Sequence, residues 1–179
     1  MTGLPAWREE AIDKKHDRKG FDCGQTDLNL FIAQYARQSH ENGAAKTYCA
    51  IKATDGKTIL GFYTISPGHV DLHQVPLAAR PSGGGRYALG GFRLARLAVA
   101  KAHQGRSLGG HLLACAMERC MLVSAQVGGT ALLIDAKDAA AAAWYARYGA
   151  LPLDDQPLSL VMSYAEYNKA RVAAGLPPL

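Results

Sequence analysis

Leu94-Ala95-Arg96-Leu97-Ala98-Val99-Ala100-Lys101-Ala102-His103-Gln104-Gly105-Arg106-Ser107-Leu108-Gly109-Gly110-His111-Leu112-Leu113 is the stretch that decides the fold. Its first residues are nearly all apolar, the pattern of a strand buried on both faces. A glycine-bearing turn follows, and the apolar spacing becomes helical from Leu108 onward. Strand, tight loop and helix in that order aim several backbone N–H groups at one point. The positive end of the helix dipole adds to them. Such a loop is a receptor for a pyrophosphate.

Upstream, residues 5–12 read as a first strand and residues 13–20 as a charged loop. Phe21-Asp22-Cys23-Gly24 is a compact turn that leads into a helix capped by Thr26 or Asp27. That helix carries an apolar stripe of Leu28, Leu30, Phe31, Ile32 and Tyr35, and Asn42-Gly43 closes it. Two strands follow, residues 47–52 and 58–66, joined by an Asp55-Gly56 hairpin turn. Pro67-Gly68 breaks or bends the second, with residues 69–72 read as its continuation in the latter case. Residues 74–91 are rich in Pro and Gly and read as a mobile connection.

Downstream, Leu108, Leu112, Cys115, Ala116, Leu122 and Val123 mark one side of a long helix that ends near Gly128-Gly129. Residues 130–134 form a short apolar strand. Asp138 caps an alanine-rich helix that runs through Tyr148 and stops at Gly149. A last strand at 158–162, a helix at 165–174 and a frayed tail complete the chain. The order predicts an α/β (α+β) fold with a mixed central sheet of six or seven strands. Its first half is antiparallel, and a parallel βαβ crossover lies at its centre.

The 179 residues fit one domain, 1–179, with a sizeable core. A net charge of +5 favours an anionic partner without demanding one. Its distribution is more telling. No Asp or Glu lies between Asp71 and Glu118, whereas Arg80, Arg86, Arg93, Arg96, Lys101 and Arg106 all do. One sign of charge around a phosphate loop points to a polyanionic ligand. Cys23, Cys49, Cys115 and Cys120 have neither C-x-x-C pairing nor histidines at metal spacing, so free thiols and no metal are expected. No apolar run has the length of a signal peptide or a membrane span. The expected location is the cytoplasm, with no membrane contact.

Gln104-Gly105-Arg106-Ser107-Leu108-Gly109 lacks the G-K-[ST] ending of a P-loop and is not G-x-G-x-x-G. With its preceding strand it resembles motif A of the GNAT acetyltransferases, Gln/Arg-x-x-Gly-x-Gly/Ala. Ser107 stands where the first motif glycine is usual. Trp144-Tyr145-Ala146-Arg147-Tyr148-Gly149-Ala150 resembles that family's tyrosine segment. Phe21-Asp22-Cys23-Gly24, Gly61-Phe62-Tyr63 and Leu94-Ala95-Arg96-Leu97-Ala98-Val99 resemble a narrower branch, the GNAT toxins of bacterial toxin–antitoxin pairs. The likeness runs over roughly residues 21–162.

The resemblance implies a GNAT fold splayed at its central parallel strands and acetyl-CoA as acetyl donor. Gln104, Gly105, Arg106, Ser107, Leu108, Gly109 and Gly110 would hold its pyrophosphate. The backbone of Leu97, Ala98 and Val99 would face its thioester, and Asp138 joins the cofactor-contacting set. Tyr145 would be the general acid toward the sulfur; a phenol of pKa ~10 is protonated at neutral pH. The implied reaction is acetylation of the α-amino group of aminoacyl-tRNA, which blocks translation. The implied partners are a ribbon-helix-helix antitoxin and a second copy of the chain in a homodimer.

The residues themselves add to this. An aminoacyl ester's amine is partly neutral near pH 7, so no strong base is needed, and the acid-free central stretch suits that. Arg96, in an otherwise apolar strand, must aim at a cleft, a partner or a carboxylate. Together with Arg86, Arg93 and Arg106 it is read toward tRNA phosphates or the 3′-phosphate of CoA. Tyr63 is read as stacking a base or an aminoacyl group, Phe62 and Tyr148 as core aromatics, and His103 and His111 as surface polar residues. Two alternatives stay open: a GNAT enzyme for a small amine or a protein N-terminus, and a non-catalytic GNAT domain that binds CoA or an antitoxin.

Overall fold

Seven strands pair in the order β1-β2-β3-β4-β5-β7-β6. They are β1 (Trp7–Ala11), β2 (Lys46–Lys52), β3 (Ile59–Val70), β4 (Leu89–Val99), β5 (Ala131–Asp135), β6 (Leu151–Leu153) and β7 (Gln156–Ser163). The computed structural model describes residues 3–82 and 88–179. Arg86 therefore lies outside the described residues. Two compact units divide the chain. One holds the residues up to Ser66 with Ala95–Ala116, the other Pro67–Leu94 with Met117–Leu179.

In the first unit β1, β2 and the start of β3 form an antiparallel meander, with Trp7 opposite Lys52 and Tyr48 opposite Tyr63. The turn after β2 is the expected one. Gly56 takes φ 64°, and the Asp55 carboxylate accepts the amides of Lys57 and Thr58 at 2.8 and 2.9 Å.

The first helical run is α1 (Thr26–Leu30), a π-helical segment Phe31–Tyr35, and α2 (Ala36–Asn42). Neither Thr26 nor Asp27 caps it. The N-cap is Gln25, which makes no side-chain cap bond. The π segment adds a residue to one turn and rotates everything beyond it. Phe31, Ile32 and Ala36 consequently reach the core, while Leu30 and Tyr35, expected in the apolar stripe, are exposed. Gly43 ends α2 at φ 82°, as its sequence predicts. Phe21, Phe31, Ile32, Cys49, Ile51, Phe62 and Ala98 form the core of this unit.

In the second unit β4 runs parallel to β5, from Gly91 opposite Ala131 to Leu94 opposite Ile134. A Cβ on Gly91 would lie 2.0 Å from the Ala131 carbonyl oxygen, so only glycine permits that approach. β5 pairs antiparallel with β7, and β7 with β6. The β6–β7 hairpin was not anticipated. Pro152 hides a three-residue strand, and the turn residue Asp155 takes φ 60° without a glycine to advertise it.

β3 continues through Pro67-Gly68 rather than breaking there. The described start of the connection after it, residues 71–80, has defined turns that its composition does not suggest. Short 3-10 turns form at Leu72–Gln74 and Leu77–Ala79. Val75, Ala79 and Leu89 then bury themselves against Ala131, Leu133 and Val161.

α3 (Leu108–Val127) buries Leu108, Leu112, Ala116, Cys120 and Ser124 in one i+4 row. Such a row winds slowly around the helix. The buried face has therefore moved off Leu122 and Val123 by the last turns, and both are exposed. α4 (Ala139–Ala146) is capped by Asp138, whose carboxylate accepts from the Ala141 amide at 2.8 Å. α5 (Tyr164–Ala173) is capped by Ser163. Its tail is tied down: the Leu176 amide bonds to the Arg171 carbonyl, and the Asn168 side chain brackets the Leu179 backbone. All four cysteines are free thiols.

Candidate active site

Within the first unit the loop after β4 has a defined shape. Residues Lys101–His103 make one 3-10 turn. Gly105 and Ser107 then take left-handed backbone angles, φ 73° and 65°. Ser107 is one of only two non-glycine residues with positive φ among the described residues. The loop is exposed from Gln104 through Ser107, and α3 starts at Leu108. The Ser107 carbonyl accepts the first helical bond, from His111 at 3.2 Å. The amides of Leu108, Gly109 and Gly110 precede any intrahelical acceptor and point outward along the axis. No acidic residue lies in that first turn. Nothing stands within 4 Å of a Cβ built on Gly105. An anionic phosphate fits this end by charge, donors and space.

The Gln104 side chain has a use that its place in the motif does not reveal. Its Nε2 donates to the carbonyls of Cys23 at 3.0 Å and Val99 at 2.9 Å. The Arg106 guanidinium donates to the Gly3 carbonyl. The pKa of His103 is lowered, first by desolvation and then by the charge of Arg106. β4 departs from the buried-strand expectation. From Ala95 to Val99 only Ala98 is buried, so Leu97 and Val99 stay partly open to solvent. Behind it Gly61 allows close packing. A Cβ there would meet the Ala98 carbonyl oxygen and Leu112 Cδ1, both at 2.8 Å.

Two proposed substrate residues are differently engaged. Among the described residues Arg96 makes no ion pair with a carboxylate. Its guanidinium lies 3.8 Å over the Phe31 ring. Tyr63 is fully buried, stacks on Tyr48, and donates its hydroxyl to Glu9 at 2.8 Å. It cannot stack a base, because strand alternation turns it inward and Glu9 on β1 takes its polar end. Phe62 is a core aromatic, as expected.

Tyr145, Asp138 and Arg93 belong to the second unit. Tyr145 is half-buried on α4, edge-on to Trp144 at 5.0 Å. Desolvation pushes its phenol up to about 12. Tyr148, expected in the core, is 44% exposed and leans on Trp144. Asp138 is occupied by its cap and lies 3.9 Å from Lys137. Arg93 pairs with Asp135 and lines a cavity of about 290 Å³ with His69, Asp71, Gln156 and Ser159. Among the described residues no cluster of His, Cys, Asp or Glu could hold a metal ion. Among the described residues no helix is long and apolar enough to cross a membrane.

A family model for the GNAT acetyltransferases matches residues 9–150. The chain belongs to the GNAT acetyltransferase family. This GNAT chain is 30% identical over 162 residues to a tRNA-acetylating toxin of Mycobacterium tuberculosis, covering 90% of this chain and 93% of that one. A crystal structure of a tyrosine-to-phenylalanine mutant of KacT matches with a TM-score of 0.85 at 25% identity, over 92% of this chain and 98% of that one. Two of the matching AtaT structures each cover 88% of this chain and 92% of that one. A tyrosine-to-phenylalanine mutant toxin bound to the C-terminus of the antitoxin AtaR gives 25% identity and a TM-score of 0.73. AtaTR bound with AcCoA gives 26% and 0.72. The seven-stranded mixed sheet with parallel β4 and β5 is the GNAT fold, and the protein is an N-acetyltransferase.

Proposed function

We propose that this enzyme transfers the acetyl group of acetyl-CoA to the α-amino group of aminoacyl-tRNA and thereby blocks translation. Its relation to a tRNA-acetylating toxin along nine-tenths of its length carries this reading. AtaTR bound with AcCoA supports the donor, and AtaT bound to its antitoxin supports an antitoxin partner. We read that antitoxin as a ribbon-helix-helix protein, the working unit as a homodimer of single GNAT domains, and the compartment as the cytoplasm, where charged tRNA is found.

The bound donor supplies an acyl group activated as a thioester. The amides of Leu108, Gly109 and Gly110 neutralise the pyrophosphate, with Gly105 and Ser107 shaping the approach. The run Leu97–Val99, with Leu97 and Val99 partly open to solvent, offers backbone groups toward the acyl carbonyl. Tyr145 keeps its phenolic proton across the physiological range, because burial raises its pKa to about 12. As the amine nitrogen bonds to the acyl carbon and the C–S bond breaks, it gives that proton to the departing sulfur, and the proton shed by the acylated nitrogen restores the phenol. That tyrosine-to-phenylalanine mutants of both KacT and AtaT have been solved agrees with a central tyrosine in this group of proteins. No carboxylate base is needed for an amine that is already partly neutral.

Incubation with labelled acetyl-CoA and charged tRNA tests the reading. Label is expected on the aminoacyl group, released by mild base with the ester. Label found only on small amines or on protein N-termini overturns the tRNA assignment.

A further inference from the structure

The Phe21-Asp22-Cys23-Gly24 turn lies against the entry to the phosphate loop and accepts its hydrogen bonds. The Lys101 amide donates to the Asp22 carbonyl at 2.9 Å. Gln104 Nε2 donates to the Cys23 carbonyl, and the same nitrogen holds the carbonyl of Val99 where β4 ends. Lys101 Nζ pairs with Asp22 Oδ2 at 3.0 Å. Gly24 sits at φ 85°, and a Cβ there would lie 2.9 Å from Lys101 Cε. Glycine is needed both for the angle and for the lysine stem that crosses it.

The turn is itself fixed. Asp22 Oδ1 accepts from the Gly24 amide and from Asn29 Nδ2, while Asn29 Oδ1 accepts from the Cys23 amide. Those bonds and the pairing with Lys101 draw the Asp22 carboxyl down to about 2. Phe21 is packed edge-on to Phe62 at 5.3 Å in the core.

An exposed loop with two left-handed residues and few apolar contacts is the kind of segment that opens locally. Its donors bind a phosphate well only if they are held in place beforehand. We infer that this turn is a latch that sets the loop, with Gln104 and Asp22 as positioning residues for acetyl-CoA binding. The inference rests on the acetyl-CoA reading above. It departs from a role for Gln104 through its main chain alone, in which the side chain would be dispensable.

The full chain is assayed for CoA affinity by calorimetry, and for KM and kcat with charged tRNA, as wild type, Gln104→Met, Asp22→Ala and the double variant. Methionine matches glutamine in size but leaves both carbonyls unpaired. Gln104→Met is expected to raise the CoA Kd and the acetyl-CoA KM about tenfold, with kcat at saturation within about twofold. Asp22→Ala acts in the same direction. The double variant falls short of the product of the two singles, because both loosen one device. A merely structural role would lower the melting temperature without this split. A wild-type Kd in folded Gln104→Met, or a lost kcat at unchanged KM, overturns the latch. Should Gln104→Met not fold, Asp22→Ala decides: an unchanged KM overturns it. A wild type that does not bind CoA refutes the acetyl-CoA reading itself and takes the latch with it.

Discussion

Ser107 is the sharpest place to test the physics of the loop, because it occupies a left-handed angle, φ 65°, with a side chain attached. For an L-residue that conformation costs roughly 1–2 kcal/mol from the clash of Cβ with the backbone. Glycine escapes the clash but gives back about 0.5–1 kcal/mol through the freedom it has when unfolded. Losing the hydroxyl adds a separate small term, so the comparison is best made against alanine, which keeps Cβ and lacks the oxygen. Ser107→Gly should exceed Ser107→Ala in stability by about 0.5–1 kcal/mol. For a chain of this size that is a gap of about 1–4 °C in melting temperature. Thermal unfolding of the two variants, with and without CoA, measures it. An alanine variant as stable as the glycine variant would refute the strain. A glycine variant that binds CoA far more weakly than wild type would show that the hydroxyl, not the backbone, is what the ligand uses.

Tyr145→Phe should lower kcat by about 10²–10⁴ and relieve growth arrest on expression, at unchanged CoA affinity. Because burial holds this phenol near 12, its deprotonation should not enter the pH–rate profile of the wild type until pH is well above 10. Gly61→Ala forces a methyl to within 2.8 Å of the Ala98 carbonyl oxygen and of Leu112. It should cost about 1–3 kcal/mol, read as a lower denaturation midpoint. Glu10 is held near 2, first by its bond from Lys15 and then by Arg8 and His16. Its depressed pKa means that its contribution is present above the ordinary 4.5 and disappears as pH falls toward 2. The stability gap between wild type and Glu10→Gln should close over that interval.

Where the sequence was legible, the reason is local. Asp55-Gly56, Asn42-Gly43 and Asp138 each settle a turn or a cap with their own atoms, and all three stand where their chemistry puts them. The loop at 104–110 was legible for the same reason, since glycine spacing is a backbone property. The misread elements depend on distant partners or on phase. A π segment shifted Leu30 and Tyr35 outward, and a drifting i+4 row shifted Leu122 and Val123. Neither leaves a mark in hydrophobic periodicity. Gln104 and Asp22 were visible only as motif letters, because their partners lie up to 81 positions apart.

The acid-free run between Asp71 and Glu118 shows most clearly what a linear charge pattern can and cannot say. Read along the chain, it is a band of unopposed cations. In the folded protein Lys101 meets Asp22, Arg93 meets Asp135, Arg80 donates to the Val75 carbonyl, and Arg96 lies on the Phe31 ring. The first two are ion pairs at partly exposed sites, worth little in energy, yet they cancel charge at long range. An argument for a polyanionic substrate drawn from that run alone therefore loses the charge of two of its six cations, Lys101 and Arg93. What remains is narrower and firmer. The first turn of α3 has no carboxylate, its amides have no helical acceptor, and the two residues that shape its approach are bent left-handed. Under the proposed function, the preference for phosphate rests on the backbone of the loop rather than on the arginines of that run.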